Sequence, residues 1–438
     1  MALTRWFIAL LAVGAFPIIA IGQFWALPAW VALVRLVTGC GLALAASPRK
    51  LGVERTVPGR ARLGEPAITT VRLTNLGTRR MRALVRDAWP PSAQATPSRH
   101  RVDVPAGERR SVQTVLTPFR RGRRVAGDVT VRSFGPFRLA ARQATLRAPG
   151  ELMVLPPFRS RAHLPSRLAR LRELDGATSL MVRGQGTEFD SLRDYVRGDD
   201  VRSIDWRATA RRDLPSPVPT PRLVVRTWRP ERDRRVVIVI DSGRQAAARI
   251  ANETRLDTAF ESSLLLAALA SAAGDRVELA VLDRRVRARV RGTTGGDLLA
   301  SMVEAMAPVE PELIEPDWAM VPALVREATS QSALVVLCTT IDAPGASRAL
   351  LGMLPQLTKR HRVVVASVTD PDIAAALNDR SRLDDVYLAA AAERALLDRD
   401  RVAAAIKRLG GDVVLGAPEA LPPRLADRYL ALKAAGLL

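Results

Sequence analysis

The sequence predicts an α/β protein with a doubly wound, mostly parallel sheet, preceded by a β-sandwich-like domain and an N-terminal transmembrane helical hairpin. Three observations predict this arrangement. An apolar block fills residues 6–47, short strands of alternating pattern run from about 53 to 157, and apolar strands alternate with helices beyond residue 234. The 438 residues are enough for two or three domains with cores of their own. We expect the boundaries 1–48, 49–158, 159–233 and 234–438.

The N-terminal block is long enough for two membrane spans. Residues 6–34 carry no charge, and apolar residues resume after Arg35 as far as residue 47. One span needs about 20 apolar residues, so the block fits two helices with a break at 21–28. A cleaved signal peptide is the alternative, but a second apolar segment follows at once, which favours the hairpin.

Basic residues flank both ends of this block, and the connecting turn has no charge. Arg5 precedes the first segment, and Arg49, Lys50, Arg55 and Arg60 follow the second. Cytoplasmic flanks carry the excess of Lys and Arg. We therefore expect a multi-pass membrane protein with two spans and its soluble domains in the cytoplasm.

The composition is strongly basic, with a formal charge of +22. Only four of the 66 basic residues are lysines, so the charge reflects a general preference for arginine. Recognition-helix, RNP-like aromatic and zinc-ligand patterns are lacking, and we expect no nucleic-acid partner. An anionic membrane surface attracts such charge at about 1 kcal/mol per nearby basic residue. The two cysteines, Cys40 and Cys338, do not form a disulfide framework, which agrees with a reducing compartment.

Between residues 49 and 158, short stretches with a period of two are separated by turn residues. Such spacing, with Pro and Gly between the strands, is typical of a β-sandwich. The best examples of these stretches are residues 67–74, 111–116, 128–133 and 152–155.

Beyond residue 234 the strands are apolar on both faces and alternate with helices. This pattern predicts a mostly parallel sheet that is covered on both sides. The expected strands are 236–240, 277–282, 285–290, 334–338, 363–368 and 413–415, and the expected helices are 256–273, 298–307, 318–330, 350–360, 390–409 and 425–435.

The segment 184–212 is dense in Gly, Asp, Arg and aromatic residues but lacks a helical or strand period. Its order of residues closely resembles the signature of the domain-of-unknown-function family 58 (DUF58), written G-x-G-x-E-F-x-x-L-R-x-Y-x-x-G-D-D-x-R-x-I-D-W-x-x-x-A-R. The matching residues that we single out are Glu188, Phe189, Arg193, Tyr195, Gly198, Asp199, Asp200, Arg202, Asp205, Trp206 and Arg211.

This resemblance implies a complete architecture. Members of the family carry an N-terminal membrane hairpin, a β-rich region, the signature and then a domain like the von Willebrand factor A domain. The resemblance also implies a partner, a MoxR-type AAA+ ATPase, and a chaperone-like role in maturing or assembling membrane, envelope or metal-dependent complexes.

Two hypotheses account for the signature segment. Its aspartates are interleaved with arginines, and carboxylate–guanidinium pairs would hold the segment on the next domain, with Phe189 and Trp206 as apolar anchors. We call this the clasp hypothesis. The alternative is a partner-binding or catalytic surface, including a metal-dependent hydrolase that uses Asp199, Asp200 and Asp205. The surrounding arginines argue against a metal there, because they already neutralise the carboxylates.

A second candidate metal site follows the first strand of the α/β domain. Von Willebrand A-like domains bind Mg²⁺ through an Asp-x-Ser-x-Ser motif, a Thr and a distal Asp, and open α/β sheets place ligands at this edge. Here Gly243 and Gln245 replace both serines of that motif. We expect a degenerate site in which Mg²⁺ binding is the exception. One alternative is that Arg244 takes the place of the metal, pairing with Asp241 or Asp342 and leaving a metal-free docking surface; the other is an ordinary loop at the strand end. The candidate ligands are Asp241, Ser242, Thr293 (or Thr294) and Asp342.

Templates for catalysis are missing from the sequence. It has no GxxxxGK[ST], dinucleotide loop, HExxH or GxSxG, and its three histidines are isolated. We therefore expect a scaffold or adaptor without catalytic residues or a cofactor. The alternatives are the membrane-associated hydrolase and a basic nucleic-acid-binding protein, whose affinity would fall steeply with salt.

Overall fold

The computed structural model describes residues 2–181, 188–196, 201–212, 223–229, 234–378 and 380–438. The chain divides into two compact units. The first comprises Met1–Pro157 and Met306–Glu310, and the second comprises Phe158–Ala305 and Pro311–Leu438. The signature segment therefore belongs to the second unit.

The N-terminal block forms three apolar helices. They are α1 (Arg5–Val13), α2 (Ala15–Ile21) and α3 (Ala26–Leu44). The first apolar stretch is interrupted at Gly14, and it ends at Gly22, whose φ of 66° is in the left-handed region that glycine tolerates. Among the described residues, one helical segment, Ala26–Lys50, which includes α3, is long and apolar enough to cross a membrane, and an 18-residue window within it has a mean hydropathy of 1.8. The second span of the expected hairpin stays a prediction.

The rest of the first unit is made of twelve short strands. They are β1 (Ala2–Leu3), β2 (Leu51–Thr56), β3 (Arg60–Arg62), β4 (Ala67–Asn75), β5 (Met81–Arg86), β6 (Ala95–Thr96), β7 (Arg99–Val104), β8 (Arg109–Leu116), β9 (Gly122–Val125), β10 (Val129–Phe134), β11 (Ala140–Leu146) and β12 (Glu151–Leu155). A five-stranded sheet has the order β1-β11-β10-β5-β7, a four-stranded sheet the order β2-β4-β8-β6, and a three-stranded sheet the order β3-β12-β9.

The two larger sheets share one core. Along β4 every second side chain is buried, as the alternating sequence requires. Val71 and Leu73 from the four-stranded sheet pack with Met81, Val85 and Val131 from the five-stranded sheet. Two antiparallel sheets that face each other over such a core are the arrangement of a β-sandwich.

A buried ion pair supports this core. Arg55 Nη2 lies 2.6 Å from Asp87 Oδ1, and both side chains are fully buried. Arg55 also donates to the carbonyl oxygens of Ala148 and Gly127, and Trp89 Nε1 donates to Asp87 Oδ2 at 3.1 Å. These hydrogen bonds offset much of the cost of burying the two charges, although Arg55 Nε makes no hydrogen bond.

The second unit contains the remaining elements. They are α4 (Leu164–Met181), β13 (Glu188–Asp194), α5 (Trp206–Arg212), β14 (Val224–Arg229), β15 (Arg235–Asp241), β16 (Arg249–Ile250), β17 (Glu253–Thr254), α6 (Arg255–Ala272), β18 (Arg276–Leu282), β19 (Val286–Val290), α7 (Gly296–Met306), α8 (Val321–Ala328), β20 (Leu334–Cys338), α9 (Arg348–Thr358), β21 (Arg362–Val368), α10 (Pro371–Ala376), α11 (Leu383–Arg408), β22 (Asp412–Gly416) and α12 (Leu421–Ala434).

A six-stranded sheet of order β19-β18-β15-β20-β21-β22 organises this unit. All neighbours are parallel except β18 and β19, so the predicted mostly parallel sheet is confirmed. The apolar side chains of α8, α9 and α11 cover one face, where they pack on Val237, Val335 and Val365. Helix α6 contacts β15, β18 and β21 and packs against α12. The chain order reverses between β15 and β20, which makes their carboxyl ends the topological switch point.

We expect Arg55→Met to destabilise the first unit by about 3–5 kcal/mol, because it leaves Asp87 charged, buried and unpaired. Hydrogen exchange read by mass spectrometry should show faster exchange of the amides of β10, next to this pair. Arg72→Met is the matched control, since the Arg72–Glu54 pair is exposed at the surface and should change protection by no more than ~1 kcal/mol. Equal effects of the two substitutions would contradict a structural role for the buried pair.

Candidate functional site

Asp241 and Thr339 meet at the switch point. Asp241 is the last residue of β15, and Thr339 follows β20, the adjacent parallel strand. Thr339 Oγ1 donates to Asp241 Oδ2 at 2.7 Å, and the backbone N–H of Gly243 donates to Asp241 Oδ1 at 2.7 Å. Asp241 is only 4% exposed. Both of its carboxylate oxygens therefore already accept a hydrogen bond from the protein.

The environment of Asp241 disfavours its charge. Burial raises the pKa of Asp241, and the negative charges of Glu315 and Asp283 act in the same direction. The hydrogen bonds from Gly243 and Thr339 lower the pKa but do not outweigh the burial. A carboxyl group that is retained against such a penalty at the ligand-binding edge of an α/β sheet is a candidate functional residue.

Arg255 supplies the positive charge at this edge. It is the first residue of α6, and its Nη1 lies 2.6 Å from Asp342 Oδ2. Arg255, Asp241 and Thr339 line the same small cavity of about 10 Å³, which has room for about one water. Arg244 instead pairs with Glu315 at 2.6 Å. The expectation that Arg244 pairs with Asp241 or Asp342 was wrong, because its side chain follows the neighbouring loop.

That loop, the cover segment (residues 311–318), lies against the strand ends. Glu312 N donates to Ser242 O at 2.9 Å, and Arg244 N donates to Ile314 O at 2.8 Å. A Cβ atom at Gly243 would lie 2.7 Å from the Ile314 carbonyl oxygen. The first serine of a metal-binding motif thus has no room here, because backbone of the cover segment occupies its place.

The predicted metal ligands are only partly brought together. Ser242 is buried, its Oγ makes no hydrogen bond, and it does not line the cavity with Asp241. Thr293 lies half-buried in the loop between β19 and α7, with no hydrogen bond to Asp241. Across the described part of the chain, no group of three or more His, Cys, Asp and Glu side chains could hold a metal ion. Since the oxygens of Asp241 are engaged and Arg255 pairs with Asp342, these residues do not fit Mg²⁺.

Cys338 lines the same cavity, but it is no nucleophile. Burial raises the pKa of its thiol to about 12, so it stays protonated at neutral pH. Sequence analysis missed both Thr339 and Arg255. Thr339 follows an apolar strand directly, which is a signal for the ligand edge, whereas Arg255 reaches the site only through the packing of α6.

In the signature segment, Asp205 organises the structure locally. Its Oδ1 accepts hydrogen bonds from the backbone N–H groups of Arg207 and Ala208, both at 3.0 Å, which caps the first turn of α5. Its Oδ2 accepts from Arg226 Nε on β14 at 2.7 Å. The Ala208 hydrogen bond, followed by that from Arg226, lowers the pKa of Asp205.

Backbone pairing completes this local unit. Strands β13 and β14 are antiparallel, and Asp205 N donates to Val224 O at 2.8 Å. Tyr195 is half-buried, and its N–H donates to Leu223 O at 2.7 Å. Arg202 lies in a single turn of 3₁₀-helix with an exposed side chain.

Two details of the clasp hypothesis need correction. Trp206 is 66% exposed, so it is not a buried anchor; the buried apolar residues are Ile204, Val224 and Val225. The cation that pairs with Asp205 is Arg226, which lies beyond the interleaved arginines. Of the other signature residues, Glu188, Phe189 and Arg193 lie in β13 and Arg211 in α5, while Gly198, Asp199 and Asp200 lie outside the described residues.

Residues 191–385 match the family described as protein of unknown function DUF58. This confirms the resemblance to DUF58 for that part of the chain, which runs from β13 to the start of α11. Uncharacterized proteins of Mycobacterium tuberculosis and Mycobacterium bovis are 25% identical over 195 residues, covering 44% of this chain and 57% of theirs. The chain thus spans little more than half the length of the curated relatives it matches.

Solved structures resemble about a quarter of the chain weakly. The CARDB domain of a Pyrococcus furiosus protein is 17% identical, covers 24% of this chain and 91% of its own, and has a TM-score of 0.18. A FixG-related protein from Vibrio parahaemolyticus is 9% identical over 24% of this chain and 96% of its own, with a TM-score of 0.16.

We expect Asp241→Asn to stabilise the second unit at neutral pH, by on the order of 1 kcal/mol, because it removes a buried charge. The amide oxygen can still accept from Gly243 N, and the amide nitrogen can donate to Thr339 Oγ1, which reverses that hydrogen bond. The raised pKa of Asp241 means that its contribution to stability is full below the ordinary pKa of Asp and is lost as pH rises through the folded-state value. The advantage of the variant should therefore shrink as pH falls from 7.5 to 4 in denaturant titrations. Asp128→Asn, at an exposed position, is the control. An equal gain in stability from that substitution would contradict the assignment of a costly buried charge to Asp241.

We expect Asp205→Ala to speed hydrogen exchange of the amides in residues 204–212, since the helix cap and the Arg226 contact are lost together. Arg226→Gln keeps the cap and removes only the ion pair, so its effect should be smaller. Because the pKa of Asp205 is lowered, its contribution is present above the ordinary pKa of Asp and disappears as pH falls through the folded-state value. Unchanged exchange in the alanine variant would refute the local clasp.

Proposed function

We propose that this protein is a membrane-anchored, cytoplasm-facing scaffold or adaptor without enzymatic activity of its own. In this proposal the second unit is a von Willebrand factor A-like domain that binds a MoxR-type AAA+ ATPase during chaperone-like maturation or assembly of protein complexes. The ATPase hydrolyses ATP, and this chain positions it beside the membrane and other membrane or envelope proteins.

The observation that carries the proposal is that the polar side chains at the switch point are already paired with other groups of the protein. Both oxygens of Asp241 accept protein hydrogen bonds, and Asp342 is paired with Arg255. The cavity that Asp241 and Arg255 line has room for about one water. An α/β sheet presents its ligands at this edge, and here the edge offers charged and polar side chains on a rigid frame. That arrangement suits recognition of a protein surface better than it suits turnover of a small molecule.

The von Willebrand A-like assignment is supported by the doubly wound strand order and by an aspartate directly after the first strand of that sheet. The membrane anchor is supported by α3 and by the shorter apolar helices α1 and α2 that precede it. Arg5 before these helices and Arg49 and Lys50 after them favour a cytoplasmic location for both ends.

The alternative, a metal-dependent hydrolase that uses Asp199, Asp200 and Asp205, receives no support from Asp205. That carboxylate already caps α5 and pairs with Arg226. Asp199 and Asp200 lie outside the described residues, so the alternative is left to the experiment.

We expect a MoxR-type ATPase to co-elute with the full-length protein purified in mild detergent from its own cells. Asp342→Ala, which removes the partner of Arg255 at the sheet edge, should reduce the recovered ATPase at least tenfold. Glu393→Gln, an exposed substitution on α11, is the control and should leave recovery unchanged. Mass spectrometry of the eluate measures both. Failure to recover any ATPase, or hydrolysis of a metabolite by the isolated protein, would contradict the proposal.

A further inference from the structure

A cavity of about 490 Å³ lies beyond the carboxyl ends of β21 and β22 in the second unit. Its apolar wall includes Ile250 from β16, Pro371 at the start of α10, and Pro418 and Pro422 around the start of α12. Prolines and an isoleucine give this wall a stiff apolar surface. The position follows the general rule that open α/β sheets bind ligands at the carboxyl edge.

The charges in this cavity oppose those of the chain as a whole. Three carboxylates line it, from Glu253, Glu261 and Glu419, against the one guanidinium of Arg159 and the imidazole of His163. The whole protein, by contrast, has a formal charge of +22. A concave site lined by one sign of charge concentrates the field that a ligand experiences. This cavity therefore attracts cations, although most of the protein repels them.

Two buried polar groups at the cavity have unused hydrogen-bonding capacity. Glu261 is 5% exposed, and its Oε1 accepts from Ser160 N at 2.5 Å. Its Oε2 lies 3.7 Å from Arg159 Nε, which is beyond hydrogen-bond length. Ser160 is also 5% exposed, and its Oγ, which lies close enough to the Glu261 carboxyl to lower the pKa of that group, makes no hydrogen bond of normal geometry. Buried polar atoms are nearly always hydrogen-bonded in native proteins, so both groups are open positions for a ligand.

The contacts of Arg159 show that a guanidinium group fits the carboxylates of this cavity. Its Nη2 pairs with Glu253 Oε2, while its Nε faces Glu261 Oε2. A planar guanidinium can thus reach both carboxylates from one place, as arginine does in bidentate pairs. The Arg159 side chain is nevertheless 63% exposed, so it stands at the mouth and leaves the interior open.

We propose that this cavity binds an arginine side chain from an extended segment of a partner protein. The guanidinium is held by Glu261, the carboxylate that Arg159 Nε faces, and the exposed Glu419 adds negative charge at the rim. Ser160 Oγ contributes a hydrogen bond, and the aliphatic stem packs on the proline wall. The volume exceeds that of one side chain, so residues that flank the arginine also fit. Arg159 acts as an internal competitor for Glu261. The inference is independent of the ATPase proposal.

The binding test uses full-length protein in detergent and the probe acetyl-Gly-Arg-Gly-amide, followed by saturation-transfer NMR. The matched control is the same peptide with citrulline, which keeps the shape of arginine and lacks its charge. We expect the arginine peptide to bind at least tenfold more tightly, since a charge-assisted hydrogen bond is lost with citrulline. Its affinity should fall with added salt. Equal binding of the two peptides would overturn the proposal. The proposal would also fail if the arginine peptide showed no saturable binding up to roughly 5 mM, a concentration that corresponds to a very weak affinity.

Two variants should act in opposite directions. Glu419→Gln removes an exposed carboxylate at the rim and should weaken binding of the arginine peptide by about tenfold. Arg159→Gln removes the internal competitor and should strengthen binding of the arginine peptide several-fold. Glu393→Gln, distant in sequence on α11 and equal in charge change, should have no effect. If Arg159→Gln does not fold, the comparison of Glu419→Gln with Glu393→Gln decides alone: indistinguishable affinities would refute the site.

Discussion

The contact between Asp241 and Thr339 is the constraint on which the second unit depends at its functional edge. It joins the ends of the two strands, β15 and β20, between which the chain order of the sheet reverses. The hydrogen bond is 2.7 Å long and partly buried, with Asp241 the buried partner, so solvent has little access to the carboxylate. The Gly243 amide engages the other oxygen of the carboxylate, which ties the loop after β15 to the strand end. The cover segment then packs on that loop, and the strand ends become a closed surface.

Arginine plays a recurring part in this protein. Arg55, Arg226 and Arg255 each hold a carboxylate, in the β-sandwich, the signature segment and the switch point respectively. A guanidinium remains charged at every physiological pH and offers five donors in a fixed geometry. It can therefore neutralise a carboxylate permanently, in place of an exchangeable metal cation. Part of the large positive charge is therefore structural. The acidic cavity beside β21 and β22 is distinctive because its carboxylates outnumber its guanidinium.

The sequence and the structure agree best where apolar periodicity is long. The strands around residues 236–240, 334–338 and 363–368 were predicted to within a residue or two, because strands buried on both faces have an unmistakable run of β-branched and apolar residues. Agreement is poorer in the signature segment. There the strand β13 and the helix α5 are short and polar, and pairing with the distant β14 stabilises them. The exposure of Trp206 and the choice of Arg226 as the partner of Asp205 both follow from that long-range pairing.

The sequence by itself determined the apolar N-terminus, the alternating strands, the mostly parallel sheet and the position of Asp241 at a strand end, since each depends on local pattern and spacing. Only the tertiary structure decided which groups meet at that strand end. Arg255 arrives on a helix, Thr339 on a neighbouring strand and Ile314 on a loop more than 70 residues after Asp241 in the chain. Hydrogen bonds and steric exclusion act over a few ångströms in space, whatever the separation in sequence. The sequence therefore showed that residues of the motif are replaced. Only the structure showed the reason, which is that a carbonyl oxygen occupies the place of a serine side chain.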